Sequence, residues 1–233
     1  MGDNALSRST EPRVTRGTDN KFPHAARTIV AVDAALLTVD LDRRQLLVVE
    51  MEREDTGKWA LPGTFLKDRE TLSGAVSRCL EDKLGVRGVR PQQLEVFDDP
   101  DRDERARVIS VAHVAVIGPE HLESLGSGLY RTRVMPVDRP GELVWDHSRM
   151  VRLAKEHVRS RYEVEPDPDR LLGPRFTLSD LQLVHEAVAG DEFSRFAFRR
   201  AMKERIEATG DFNDNTGTRG RPAELFRRKR DRH

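Results

Sequence analysis

The sequence predicts a mixed α/β sheet sandwiched by helices, followed by a winged helix-turn-helix unit. Three observations carry this. From Thr28 the runs TIVAVDAALLTVDL and QLLVVEME are β-branched and aliphatic, separated by the polar turn Asp42-Arg43-Arg44. Further on, Leu72, Val76, Leu80 and Leu84 recur at helical spacing, with Ala75 and Cys79 beside them and a Gly stop at Gly85. Near the C-terminus two short helical patterns precede a Gly- and Arg-containing loop and the strand-like AELF, the element order of a wing.

In chain order, residues 1–25 are polar, with too little apolar content to bury a core. They read either as a tail or as a basic arm that touches DNA through Arg8, Arg13, Arg16 and Lys21. The sheet domain is expected over residues 26–165. After its first two strands comes KWALPGTFL, where Trp59 is either a core aromatic or a stacking surface for a ligand. A helix from about Glu70 to Leu84 follows. DDPDRDERAR then reads as a charged loop before VISVAHVAVIG, a strand apolar enough to be buried on both faces. His113 within it is expected to be a satisfied core histidine. A helix capped by Asp146 closes the domain and gives out near Glu163.

Three prolines and a glycine in EVEPDPDRLLGPR mark a linker at residues 166–174, with the boundary close to Leu172. The last domain, residues 175–233, begins with FTLSDLQLVHEAVAG, in which Ser179 and Gln182 have capping-box spacing and Gly190 ends the stripe. SRFAFRRAMKERIEATG is expected to be a second helix. It buries Phe198, Met202 and Ile206, carries Arg199, Arg200 and Lys203 on its other face, and runs to Gly210. Those basic residues either face solvent or, with Arg219 and Arg221 of the loop, contact DNA.

Lys plus Arg and Asp plus Glu stand at 40 each, so net charge names no partner. From Arg195 onward, however, 12 basic residues face 6 acidic ones, which concentrates positive charge in the last domain. One cysteine, Cys79, rules out an internal disulfide framework and fits a reducing compartment. With no membrane-length apolar run and no signal-peptide core, a cytoplasmic location is expected and no membrane partner.

The stretch from Gly63 to Val86 resembles the Nudix hydrolase signature G-x5-E-x7-R-E-U-x-E-E-x-G-U. Glu70, Arg78, Leu80, Gly85 and Val86 stand at the correct spacings, and Trp59, Leu61, Pro62, Gly63 and Phe65 match W-x-L-P-G-G-F. The resemblance implies helical glutamates that hold divalent cations against a pyrophosphate. Here those positions are Cys79, Asp82 and Lys83, and Thr64 replaces the opening glycine. A thiol and an ammonium are poor ligands for magnesium. No catalytic or metal residue is therefore assigned and no cofactor required. An active hydrolase of ADP-ribose or another nucleoside diphosphate derivative is the alternative.

Asp98, Asp99, Pro100, Arg102, Asp103, Arg105 and Arg107 resemble the block that ADP-ribose-type Nudix proteins carry before the same strand, with Glu104 and Ala106 departing from it. Val144-Trp145-Asp146-His147 is similar to the family's F-D-H. In the last domain, Phe176, Thr177, Leu178, Leu181, Gln182, Phe198, Arg199, Arg200, Thr209, Gly210, Arg221, Pro222, Ala223, Leu225 and Phe226 resemble the Nudix-related transcriptional regulators of NAD metabolism. That resemblance implies a homodimeric repressor of NAD biosynthesis or salvage genes on double-stranded operator DNA. Its effector would be ADP-ribose or a related NAD metabolite. The effector residues it implies are Glu70, Arg78, Arg102, Asp103 and Arg105, and the DNA-contacting ones Arg199, Arg200, Lys203, Arg219 and Arg221.

Overall fold

In the computed structural model, which describes residues 28–125, 130–213 and 222–229, the first domain is built on a seven-stranded mixed sheet. Its long strand β1 (Ile29–Asp40) pairs antiparallel with β2 (Gln45–Glu52) and parallel with β6 (Val108–Val116). Beyond these, β3 (Trp59–Ala60) and β5 (Gln92–Phe97) extend the sheet, while β4 (Gly63–Phe65) pairs with β1 and β7 (Thr132–Pro136) with β2. Helix α1 (Leu72–Leu84) and the single turn α2 (Leu122–Leu125) cover one face; α3 (His147–Val164) covers the other.

Side chains of a strand alternate between faces, and β1 shows the consequence. Val32, Ala34 and Leu36 cluster with Val76, Leu80 and Leu84 of α1, whereas Ala35, Leu37 and Val39 cluster with Met150, Val151, Ala154 and Val158 of α3. Both faces are buried, which is why the run is almost unbroken in apolar residues. His113 is buried as expected, its Nδ1 3.0 Å from the Val111 carbonyl oxygen. The first helix starts two residues after Glu70, because the Thr71 hydroxyl caps it by accepting from the Gly74 N–H at 3.1 Å. Gly85, with φ of 69°, ends it.

The second domain comprises β8 (Phe176–Thr177), α4 (Leu178–Ala189), α5 (Arg195–Met202), β9 (Ile206–Phe212) and β10 (Glu224–Arg228). Its sheet has the order β8-β10-β9, a winged helix. Two local expectations are corrected. The capping box belongs to Thr177 and Asp180 rather than Ser179 and Gln182: the Thr177 hydroxyl accepts the Asp180 N–H at 3.1 Å and the Asp180 carboxylate accepts the Thr177 N–H at 3.0 Å. Helix α5 ends at Met202, and Ile206 opens a strand paired with β10. Ile206 fits a helical stripe by spacing, but it is buried against Phe198 and Phe226 from the strand instead. Arg219, Arg221 and the whole N-terminal tail lie outside the described residues. Among those described, no helix is long and apolar enough to cross a membrane.

Helix α4 belongs to both cores. Val184, Ala187 and Val188 join the α3 side of the sheet domain, while Leu181 joins Phe176, Phe198, Met202 and Ile206 in the winged helix. The linker before it is tied down. Asp167, fully buried, accepts the Leu171 and Leu172 N–H groups at 2.8 and 2.9 Å and is bonded by the Arg228 guanidinium of β10. Arg228 also donates to the Leu172 and Gly173 carbonyls, at 3.1 and 3.2 Å. An edge-to-face ladder runs from Tyr162 of α3 through His185 of α4 to Phe198 of α5, with centroid spacings of 5.0 and 5.2 Å. Arg44, in the turn between β1 and β2, adds an ion pair to Glu186 at 3.3 Å and another to Glu192.

Burial drives the His185 imidazole down to about 4, and its Nε2 accepts the Asp167 N–H at 3.2 Å. The unfolded chain therefore takes up a proton that the folded chain refuses between about pH 6.5 and 4, so stability falls as pH drops through that window. Urea midpoints measured across it should fall by the equivalent of roughly 2–3 kcal/mol. His185→Gln should flatten most of that slope.

Candidate functional site

A cavity of about 400 Å³ opens beside β1 and β4, between the end of α1 and the charged loop before β6. Four cations line it: Arg53, Lys83, Arg102 and Arg105. Arg53 and Arg105 lie over the Trp145 ring, 4.6 and 4.9 Å from its centroid, so this tryptophan forms a charged, stacked wall. Arg105 pairs in two-pronged fashion with Asp103 (2.9 and 2.7 Å), and Arg53 pairs with Asp55. Arg102, almost fully buried, holds Asp146 through bonds of 2.9 and 2.7 Å. Asp146 occupies the N-cap position of α3 as expected, yet its carboxylate serves Arg102 and makes no cap bond.

At the cavity floor Asp33 of β1 meets His147 of α3. His147 Nδ1 accepts the Leu61 N–H at 2.9 Å, so a neutral ring carries its proton on Nε2, which faces Asp33 Oδ1 at 3.6 Å. Nε2 is buried with no hydrogen-bond partner among the described residues. Ser110 donates to the other Asp33 oxygen at 2.5 Å. Burial alone would raise the Asp33 carboxyl, but His147, Ser110 and Arg102 together hold it below its ordinary value. Sequence reasoning missed Asp33, which looks like a lone charge in an apolar strand; the F-D-H likeness was the only pointer to His147.

Gly63 permits this arrangement. A Cβ there would sit 1.9 Å from Asp33 Oδ1 and 3.1 Å from the Val32 carbonyl oxygen. Gly63→Ala should therefore lower stability by roughly 1–3 kcal/mol through overpacking. A denaturant midpoint for the variant tests this.

The structure places Arg102, Asp103 and Arg105 on the cavity, and Glu70 and Arg78 away from its lining. Those two bind each other, Arg78 Nε and Nη2 reaching the Glu70 oxygens at 2.7 and 2.9 Å, while Arg78 also donates to the Phe65 carbonyl at 3.1 Å. The bond from Arg78 holds the Glu70 carboxyl down at about 2, helped by the Lys67 N–H. They clamp the loop that carries β4. Trp59 lies outside the cavity too, stacked on Arg133 at 4.0 Å, and Arg133 in turn pairs with the fully buried Glu50 at 2.6 Å.

The donor set does not fit a Nudix-type divalent cation. Cys79 is buried, and burial pushes its thiol up to about 11, so no thiolate is at hand. Asp82 is exposed and outside the lining, and Lys83 spends its ammonium on the Gly63 carbonyl at 2.6 Å. Among the described residues no three His, Cys, Asp or Glu side chains come together to hold a metal.

On the winged helix, Phe198 and Met202 anchor α5 to the core while Arg199, Arg200 and Lys203 stand exposed, and none of the three has a carboxylate partner among the described residues. Residues 29–154 match the NUDIX domain model, and residues 169–228 match the NrtR DNA-binding winged helix domain model. The chain belongs to the NUDIX family. It is similar to the NrtR crystal structure from Shewanella oneidensis complexed with a 27mer DNA. That structure has a TM-score of 0.71 and 28% identity over 86% of this chain and 93% of that one. The ADPR responsive transcriptional repressor NtrR of Acinetobacter baylyi is 27% identical over 85% of this chain and 81% of its own length. The chain is also 30% identical over 124 residues to an ADP-ribose pyrophosphatase of Methanocaldococcus jannaschii, covering 53% of this chain and 70% of that protein.

Proposed function

We propose that this NUDIX protein is an ADP-ribose-responsive transcriptional repressor, acting as a homodimer on a palindromic operator of NAD biosynthesis or salvage genes. One observation carries the reading: a helix packed by Phe198 and Met202 that offers Arg199 and Arg200, with Lys203 at its C-cap, none of them paired with a carboxylate among the described residues, in a domain of NrtR type. In this reading the helix enters the major groove, where guanidinium forks would read guanine edges and phosphate contacts would fix the register. Two copies of one chain match a two-fold symmetric site. Arg219 and Arg221 of the wing would add backbone or minor-groove contacts.

The sensor is the cavity under Trp145. Arg102, Asp103 and Arg105 build its charged wall, and a nucleotide with a diphosphate suits a pocket that combines guanidinium groups, an aromatic face and the Asp33–His147 floor. Glu70 and Arg78 act at one remove, by holding the loop that forms the rim. Hydrolysis is not part of this function, because the helix that would carry metal-bound water presents Cys79 and Lys83.

Coupling runs through α4, whose apolar side chains belong to both cores, and through the Tyr162–His185–Phe198 ladder. An inducer must favour the arrangement that fits DNA less well, and its differential affinity sets how far the equilibrium moves. Selection of bound fragments from host genomic DNA tests the first half of the proposal. Enrichment of one palindrome upstream of NAD-metabolic genes is expected; uniform, salt-sensitive binding to any duplex would contradict it.

A further inference from the structure

The four cations that line the cavity are not equivalent. Arg53, Arg102 and Arg105 each pair with a carboxylate: Asp55, Asp146 and Asp103 respectively. Lys83 alone has no carboxylate within ion-pair distance among the described residues; its ammonium rests on a neutral acceptor, the Gly63 carbonyl, 2.6 Å away. It stands at the end of α1, on the frame where the Nudix signature places a metal-binding glutamate, and the Tyr130 ring lies 5.8 Å from Nζ. A divalent ion at this spot would meet like charge from Lys83 and find neither a thiolate at Cys79 nor a carboxylate from Asp82. An anionic group would meet the one cation of this lining that has no carboxylate partner among the described residues.

We propose that Lys83 is the resident counter-cation of this site: its ammonium takes the charge of a diphosphate directly, so nucleotide capture needs no divalent ion. This rests on the sensor reading above. It also explains how a Nudix frame can bind a diphosphate and leave it whole, since the charge that neutralises the ligand is an ammonium with no water to activate.

The test is calorimetric titration of ADP-ribose, and separately of inorganic diphosphate, into the full chain in EDTA and in magnesium. Wild type and Lys83→Arg should bind ADP-ribose equally in both buffers. Lys83→Met should weaken binding by roughly tenfold or more in both, the loss expected for one charged hydrogen-bond donor. Lys83→Glu should bind poorly in EDTA and recover with magnesium, a metal dependence that a merely structural role for Lys83 would not create. A wild type that needs magnesium, or a Lys83→Met variant that binds normally, overturns the inference. If ADP-ribose fails to bind at all, the effector reading falls. Metal-free, Lys83-dependent binding of diphosphate would then still uphold the inference, and its absence would overturn both.

Discussion

Reversing Arg199 and Arg200 to Glu together is expected to reduce operator affinity by on the order of a thousandfold or more. Both side chains are exposed on α5 and hold no carboxylate among the described residues, so no ion pair within that part of the protein is lost. What changes is the proposed interface: two positive groups become two negative ones facing a polyanion, and in the proposed dimer the substitution would appear twice. Thermal melting should be unchanged within a degree or two, and the variant should still bind ADP-ribose. Fluorescence anisotropy with a labelled operator duplex checks it. Retained binding would remove α5 as the reading element and shift attention to the wing.

Asp167→Ala should be the most damaging single change to stability, at about 3–5 kcal/mol. The carboxylate is fully buried and satisfies two linker N–H groups as well as Arg228. Its removal strands the two linker N–H groups and leaves the partly buried Arg228 guanidinium with neutral carbonyl acceptors in place of its counter-charge. For a chain of this size that corresponds to a drop of the order of 10 °C in melting temperature. Asp167→Asn should lose less, because an amide oxygen still accepts one N–H and asparagine tolerates the φ of 50° at this position. Arg228→Met removes the other side of the same clasp and should also blunt the response of DNA binding to ADP-ribose, since β10 would no longer hold the linker. Calorimetric melting of the three variants decides the matter. A ranking with Asn as damaging as Ala would contradict the hydrogen-bond account.

Much of this was legible in the sequence because local signals and tertiary demands agreed. The double-faced burial of β1 follows from its unbroken apolar run, and Gly85 and Gly190 stop their helices as their left-handed φ values require. Legibility failed where two patterns competed or where partners lay far apart. Ile206 satisfies both a helical stripe and an alternating strand, and pairing with β10 decided for the strand. Asp146 has an N-cap's identity and position, but a buried guanidinium claims its carboxylate. Glu70 and Arg78 stand at the signature's spacing, yet only the fold shows that they satisfy each other. Asp33 and His147 come from opposite ends of the domain, and no spacing rule joins them. The same holds for Asp167 with Arg228 and for Arg44 with Glu186: residues of the linker, the last domain and a turn become the joint between the domains.

In the proposed function, one chain reads DNA with α5 and releases it when ADP-ribose fills the cavity lined by Trp145. The most direct measurement is anisotropy of a labelled operator bound to the full-length protein, titrated with ADP-ribose in EDTA, with the nucleotide recovered and chromatographed afterwards. The account predicts that the complex dissociates as ADP-ribose rises and that the nucleotide comes back intact. A complex indifferent to ADP-ribose, or one that releases DNA only with magnesium while AMP accumulates, would contradict it.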